Sequence, residues 1–451
     1  MQSLFFPTPH RIARFLLLVL LVTECTFSFF EWAKLTVPKV GTISPTDIAF
    51  AGLALLLVRS LKDGPRWLRF VDVVSILLGF WILVAGAYLV GTQALPTELF
   101  LRRHLRLSLI WLCFPVIRVL DARIKLHLGV AALFLGFVVA CIHDYIVLNH
   151  RADLMENWYY LFLGLEGHPD RDALKAVLYA DLLANWPSGG SLVSALAVVC
   201  VVQILQARCV ASRLVASCIL IAPALACVLA LSRGRVLAIF VVSPLALLFL
   251  RGTQILPRAA SLWIVLGGLA VCVFSAPSLD SPAVREIQRK FLRWFEEDPR
   301  QDTSVQIRFE DSLQASREIA ASPFVGTGQM TLHEVTTFLG ADIHGVLTLG
   351  LVAGLPAVLL LAIFVGSVLR AHSSSSASVF PFAFCVFVHY LFLLLANVDS
   401  TITVPRSVIP FLLSAALLCS ASNTDIVAPP TLPGRGDPTL CSRSPRAEIV
   451  L

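Results

Sequence analysis

His344 ends a long polar stretch and opens an apolar run, in Asp342-Ile343-His344-Gly345. With an unperturbed pKa of about 6.5, an imidazole at such a boundary is the natural general base at neutral pH; the plainer role is that of an interfacial side chain. Ser232-Arg233-Gly234-Arg235 is a very short polar interruption between two apolar runs. Guanidinium is the best side chain for bidentate binding of phosphate, so Arg233 and Arg235 are candidates for holding an anionic group, with snorkelling to lipid headgroups as the alternative. Arg308 lies in a segment with capping candidates at Thr303 and Ser304 that reads as a helix to Ala321, where Asp311 and Ser312 offer it an ordinary local ion pair.

Ser322-Pro323-Phe324-Val325-Gly326-Thr327-Gly328 follows that helix and reads as a tight turn whose glycines allow close backbone approach. After His344, Gly350 and Gly354 stand four apart, a small face that lets another helix come close. Arg285, Arg289 and Arg293 form a basic stripe opposite Ile287, Phe291, Trp294 and Phe295, suited to anionic headgroups or to a solvated helix packed on a bundle. His143, Asp144, His150, His168 and Asp170 match no common metal spacing, so no metal and no cofactor is expected.

These residues must be positioned by apolar elements. Of 451 residues, 57% are hydrophobic and 14% charged, and the mean hydropathy is +0.82. A water-soluble domain, with roughly 25% charged residues, is excluded. Apolar runs of near-membrane length lie at about 12–30, 44–60, 71–93, 105–120, 126–148, 191–207, 212–231, 235–250, 260–276, 344–369, 379–397 and 404–421. The expected fold is an all-α polytopic membrane protein of about 12 transmembrane helices, with a large helical periplasmic loop before the tenth.

Every second short connection is rich in Lys and Arg, as cytoplasmic loops require, so both termini are expected in the cytoplasm. Arg59, Lys62, Arg66, Arg69, Arg118, Arg123, Lys125, Arg208, Arg213, Arg251, Arg258 and Arg370 carry this pattern, and the net charge of +6 is read as topology, with no nucleic-acid partner. The membrane domain spans 1–427, with periplasmic loops at about 149–190 and 277–343; 428–451 reads as a disordered cytoplasmic tail. The 11 cysteines include no C-x-x-C pair and read as small core residues.

Three of these pieces, taken in order, resemble the O-antigen ligase and O-antigen polymerase family of bacterial envelope glycosyltransferases. Ser232-Arg233-Gly234 looks like its Ser-Arg-Gly turn. Arg308 with Ser322-Pro323 and Gly326-x-Gly328 looks like its loop arginine and Pro-Gly-x-Gly turn. His344 with Gly350 and Gly354 looks like its histidine and Gly-rich span, although Gly345 stands where the family usually has Asn.

The resemblance implies an enzyme of the bacterial inner membrane, acting at its periplasmic face. It would move a glycan, without a metal, from an undecaprenyl-pyrophosphate-linked donor to a hydroxyl of the lipid A core or of another glycan. Arg233 and Arg308 would stabilise the pyrophosphate, His344 would act as base, and Arg235 would help bind carrier phosphate. A ligase and a polysaccharide polymerase need the same donor and attack. The rival from another class is a lipid-linked glycan flippase or transporter, against which stand the absence of matching halves and the scarcity of acidic residues and lysines in the spans.

Overall fold

The computed structural model describes residues 7–25, 35–37, 41–43, 45–62, 68–148, 190–206, 209–229, 233–249, 303–328, 345–373, 380–396 and 405–420. In chain order the elements are α1 (Pro7–Cys25), β1 (Leu35–Val37), β2 (Gly41–Ile43), α2 (Pro45–Lys62), α3 (Phe70–Gly91), α4 (Thr97–Leu99) and a π-helical turn (Phe100–Leu105). There follow α5 (Arg106–Leu112), α6 (Phe114–Val119), α7 (Ala122–Leu148), α8 (Gly190–Gln206), α9 (Val210–Leu229) and α10 (Arg233–Phe249). The last are α11 (Thr303–Ala321), α12 (Gly345–Ser373), α13 (Phe380–Leu395) and α14 (Pro405–Ser420).

Each expected apolar run coincides with helix except 260–276, which lies outside the described residues, as do 149–189, the basic stripe at 285–295 and the tail. Among the described residues, Phe70–Gly91, Val210–Cys227 and Gly345–Ala371 are long and apolar enough to cross a membrane. Outward surfaces fit that setting: Phe80 and Leu359 on two of these helices are exposed, as are Phe134 on α7 and Leu237 on α10. The inward faces form one core, in which Phe364 meets Trp111 and Phe114 edge-on at 5.3 and 4.8 Å and Phe387 stacks on Phe411 at 5.0 Å.

Two features depart from the expected all-helical layout. Between α1 and α2 the chain makes a short antiparallel hairpin, Thr36 opposite Thr42, in a stretch whose Thr, Val and Ile favour extended backbone. The run expected at 105–120 is helix in pieces, from Thr97 to Val119, interrupted at Cys113. Pro115 causes this interruption, because it has no N–H to give the Trp111 carbonyl. The Ser75 hydroxyl donates to that carbonyl instead, at 2.6 Å. In a lipid-embedded helix such substitution is what makes an internal proline tolerable.

The bundle has two distinct ends. At one, α3 starts, α6 ends, α7 starts and α14 ends. Arg118 Nε donates to both carboxylate oxygens of Asp72 at 2.7 and 2.8 Å, Arg69 Nη1 donates to the Cys419 carbonyl at 2.6 Å, and Lys125 Nζ to the Arg118 carbonyl at 2.7 Å. Three cations read from the sequence as topology signals thus tie helix ends together, and Arg118 and Lys125 are buried in doing so. At the opposite end α3 and α13 finish and α8 and α12 begin; there His389 Nε2 lies 3.0 Å from Ser194 Oγ.

Candidate functional site

α12 is two half-helices joined at Gly354, whose φ of 77° and ψ of −178° are closed to ordinary L-residues. Two residues on, Pro356 lacks the N–H that would serve the Val352 carbonyl. The break therefore strips several main-chain groups of helical partners, and each finds one elsewhere. The Leu351 carbonyl accepts from the Thr327 and Gly328 amides at 2.7 and 3.0 Å. The Val352 carbonyl lies 3.0 Å from His104 Nε2, and the Ala353 carbonyl accepts from Trp81 Nε1 at 2.9 Å. The Leu355 amide donates to the Pro323 carbonyl at 2.7 Å.

Two of these five bonds come from side chains and three join main chain to main chain, all three to the turn at 322–328. The turn is closed on itself by the Gly326 amide on the Ser322 carbonyl, 3.0 Å, and by the Ser322 hydroxyl on the Gly326 carbonyl, 2.7 Å. It sits so close that a Cβ on Gly326 would fall 2.3 Å from the Leu351 oxygen, and one on Gly354 2.2 Å from the Phe324 oxygen. The expected close approach of a helix is met at Gly350, whereas at Gly354 the turn takes the helix's place. Gly350 receives Ile319 of α11 and Gly354 receives the turn, so the pair is no continuous face for a spanning helix.

α11 and the first half of α12 run side by side in the same direction, since Ile319 meets Gly350 and Pro323 meets Leu355 further on. Ala315, Ile319 and Leu351, with Leu347 against them, form a small apolar cluster of their own. Arg308 lies in the second turn of α11, on the same face as Ala315 and Ile319, at i+7 and i+11. It precedes Ile319 by about 16 Å of helix, whereas Gly345 precedes Gly350 by about 8 Å, so Arg308 stands beyond the start of α12.

His344 lies outside the described residues, one peptide bond before Gly345. Arg233 opens α10 and Arg235 lies in its first turn. Because α8 leaves the end at which α12 begins and α9 returns to it, α10 starts from that same end. Chain direction thus collects the backbones of Arg233, Arg235, Arg308 and Gly345 at one end of the bundle. How the side chains of Arg233, Arg235, Arg308 and His344 meet lies outside the described residues, as do the side chains of His143 and Asp144 and the whole of His150, His168 and Asp170.

His104, in the π-helical turn, and Trp81, in α3, serve the broken helix from outside it, and neither is among the residues singled out in the sequence. The visible sign was Gly354-Leu355-Pro356, which predicts a stripped carbonyl four residues before the proline and so a donor from another helix. His104 follows Arg102-Arg103 and reads as one more basic residue at a span edge. No family model and no curated protein matches the chain.

Proposed function

We propose that the protein is an O-antigen ligase-like glycosyltransferase of the bacterial inner membrane, with about 12 spans and its active face periplasmic. The observation that carries this reading is the Gly-rich turn seated in the broken α12. It places the arginine-bearing α11 beside the half-helix that His344 precedes, at the end from which Arg233 and Arg235 also start.

In the proposed reaction an acceptor hydroxyl oxygen attacks the anomeric carbon of the donor. The bond from that carbon to the pyrophosphate oxygen breaks, and undecaprenyl pyrophosphate departs with the electron pair. His344 takes the hydroxyl proton, a step typically worth about 10² to 10⁴ in rate. Arg233 and Arg308 offset the charge that grows on the leaving group, as fixed cations do in a water-poor site, and Arg235 holds carrier phosphate. A polysaccharide polymerase would use the same steps with a growing glycan as acceptor.

A glycolipid flippase is the second reading, favoured by one observation: helices interrupted by Gly and Pro also line the binding sites of transporters. The test is the glycan product, by gel and mass spectrometry, in a deletion strain carrying wild type, Arg233→Ala, Arg308→Ala or His344→Ala at equal membrane abundance. Loss of product with build-up of lipid-linked donor in all three variants is the expected result. Glycan-free core then marks a ligase and single-repeat product a polymerase. Normal product in all three removes the site, and translocation without bond cleavage in liposomes identifies the flippase.

A further inference from the structure

Three unusual local features converge on the hydrogen bond between His104 and the Val352 carbonyl. Pro356 takes away that carbonyl's helical donor. The π-helical turn Phe100–Leu105, a wider turn of a kind often found at functional sites, carries His104 in its last half. Gly86 of α3 leaves room for the ring, since a Cβ there would fall 2.5 Å from the ring's Cγ. His104 is fully buried, with Phe100 stacked at 6.0 Å.

A carbonyl only accepts, so Nε2 carries a proton, and in the neutral ring Nδ1 is then a bare acceptor; among the described residues it has no partner. At Trp111 the equivalent orphaned carbonyl is served by the Ser75 hydroxyl, which leaves no such buried acceptor. The imidazole is therefore not the least costly way to satisfy a proline-freed carbonyl in this bundle. What it adds is reach and rigidity: a planar ring, clamped between α3 and Phe100, that fixes the end of the first half of α12.

We propose that His104 is a positioning residue. By holding Val352 it fixes the half-helix that starts at Gly345, a rigid rod of about 13 Å, against α3 and the π-helical turn, and so sets the end of the bundle from which α10, α11 and α12 start. This rests on the transferase reading for what is positioned, although the anchoring itself is testable without it.

The experiment compares the full-length wild type, His104→Phe and His104→Gln in native membranes at equal abundance. His104→Phe keeps bulk and loses the donor; His104→Gln keeps an N–H at similar reach. The expected result is a fall in kcat of about 10²-fold for His104→Phe, with KM for the lipid-linked donor unchanged, and recovery of most turnover in His104→Gln. Wild-type turnover in His104→Phe, or equal loss in both variants, overturns the proposal.

Amide hydrogen exchange over residues 350–355 in detergent is the second readout, and His104→Phe alone should speed it. If wild type transfers no glycan, the transferase reading fails, and exchange still decides whether His104 anchors the half-helix. Should His104→Phe not accumulate, its combination with Pro356→Ala, which returns a backbone N–H four residues after Val352, replaces it. Accumulation without turnover then upholds the proposal, and restored turnover overturns it.

Discussion

Among the described residues, helix is broken beside a proline at Pro115 and at Pro356, whereas Pro223, Pro244 and Pro410 lie within continuous helices, and the two breaks are closed in different ways. At Pro115 one carbonyl is freed, and Ser75 from the neighbouring α3 takes it. One turn beyond, Arg118 is locked to Asp72 and its own carbonyl to Lys125, so the region is sealed by charges that all sit within the bundle. At Pro356 the break is wider, and it is closed by neutral donors: His104, Trp81 and the amides of a turn that belongs to the segment between α10 and α12. The first region holds helix ends in place. The second holds a loop and a half-helix in register, and its closure depends on the turn at 322–328, which follows α11. One helix serves both, since α3 supplies Asp72 and Ser75 to the first and Trp81 and Gly86 to the second.

The largest effect is expected at the charged region. Asp72→Ala leaves the Arg118 guanidinium buried without its counter-charge, which costs about 3–5 kcal/mol, whereas Asp72→Leu with Arg118→Met recovers most of that stability. Thermal unfolding in detergent and membrane abundance measure both. On the proposed transferase reading, whatever protein accumulates should keep its specific activity, because the pair lies at the end of α3 remote from the break at Gly354. Loss of specific activity at normal stability would break the contrast between the two regions.

Gly354→Ala addresses the other region. The backbone there, in an extended positive-φ region open essentially to glycine, costs an L-residue about 1–3 kcal/mol, and the new Cβ would meet the Phe324 carbonyl, so the turn at 322–328 must lift away. Faster amide exchange across 322–328 and lost product are expected, at a smaller loss of stability than in Asp72→Ala. Gly366→Ala, in the same helix with nothing within 4 Å, is the control; it should stabilise slightly, by about 0.5–1 kcal/mol. Unchanged exchange in Gly354→Ala would mean that the turn is not held by its fit to the break.

Much of this was legible in the chain, and the rest was hidden for physical reasons. Apolar runs announce themselves because a spanning segment must be apolar over most of its length, and helices occupy them wherever the structure describes them. The break was half visible: Gly350 and Gly354 were marked, but a spacing of four reads as one helical face, and only the φ of Gly354 makes it a joint. The seat of Gly326 against Leu351 depends on a contact between residues 25 apart, which no local pattern encodes. Arg69, Arg118 and Lys125 follow the positive-inside pattern so well that it masks their ties to other helix ends and the burial of Arg118 and Lys125. The acid that completes the pair, Asp72, is 46 residues from Arg118. Arg233, Arg235 and Arg308 are candidates by residue type, by their place in the chain and by the resemblance, and chain direction adds that their backbones share one end.

The sharpest form of the comparison uses the two side chains of α3 that each serve one proline-freed or break-freed carbonyl. Ser75→Ala unpairs Trp111 and Trp81→Phe unpairs Ala353, each a loss of about 1 kcal/mol, the net worth of one hydrogen bond. Six residues separate them, about 9 Å along the helix, and the carbonyls they serve belong to different helices with no shared partner. If the two regions are independent, the double variant loses the sum of the single losses to within about 0.3–0.5 kcal/mol, measured by urea or thermal unfolding in a fixed detergent. Product formation should fall in Trp81→Phe and not in Ser75→Ala. A coupling clearly larger than that margin would make α3 a mechanical link, so that the charged end bears on the geometry of the broken helix, and the division into a holding region and a working region would have to be given up.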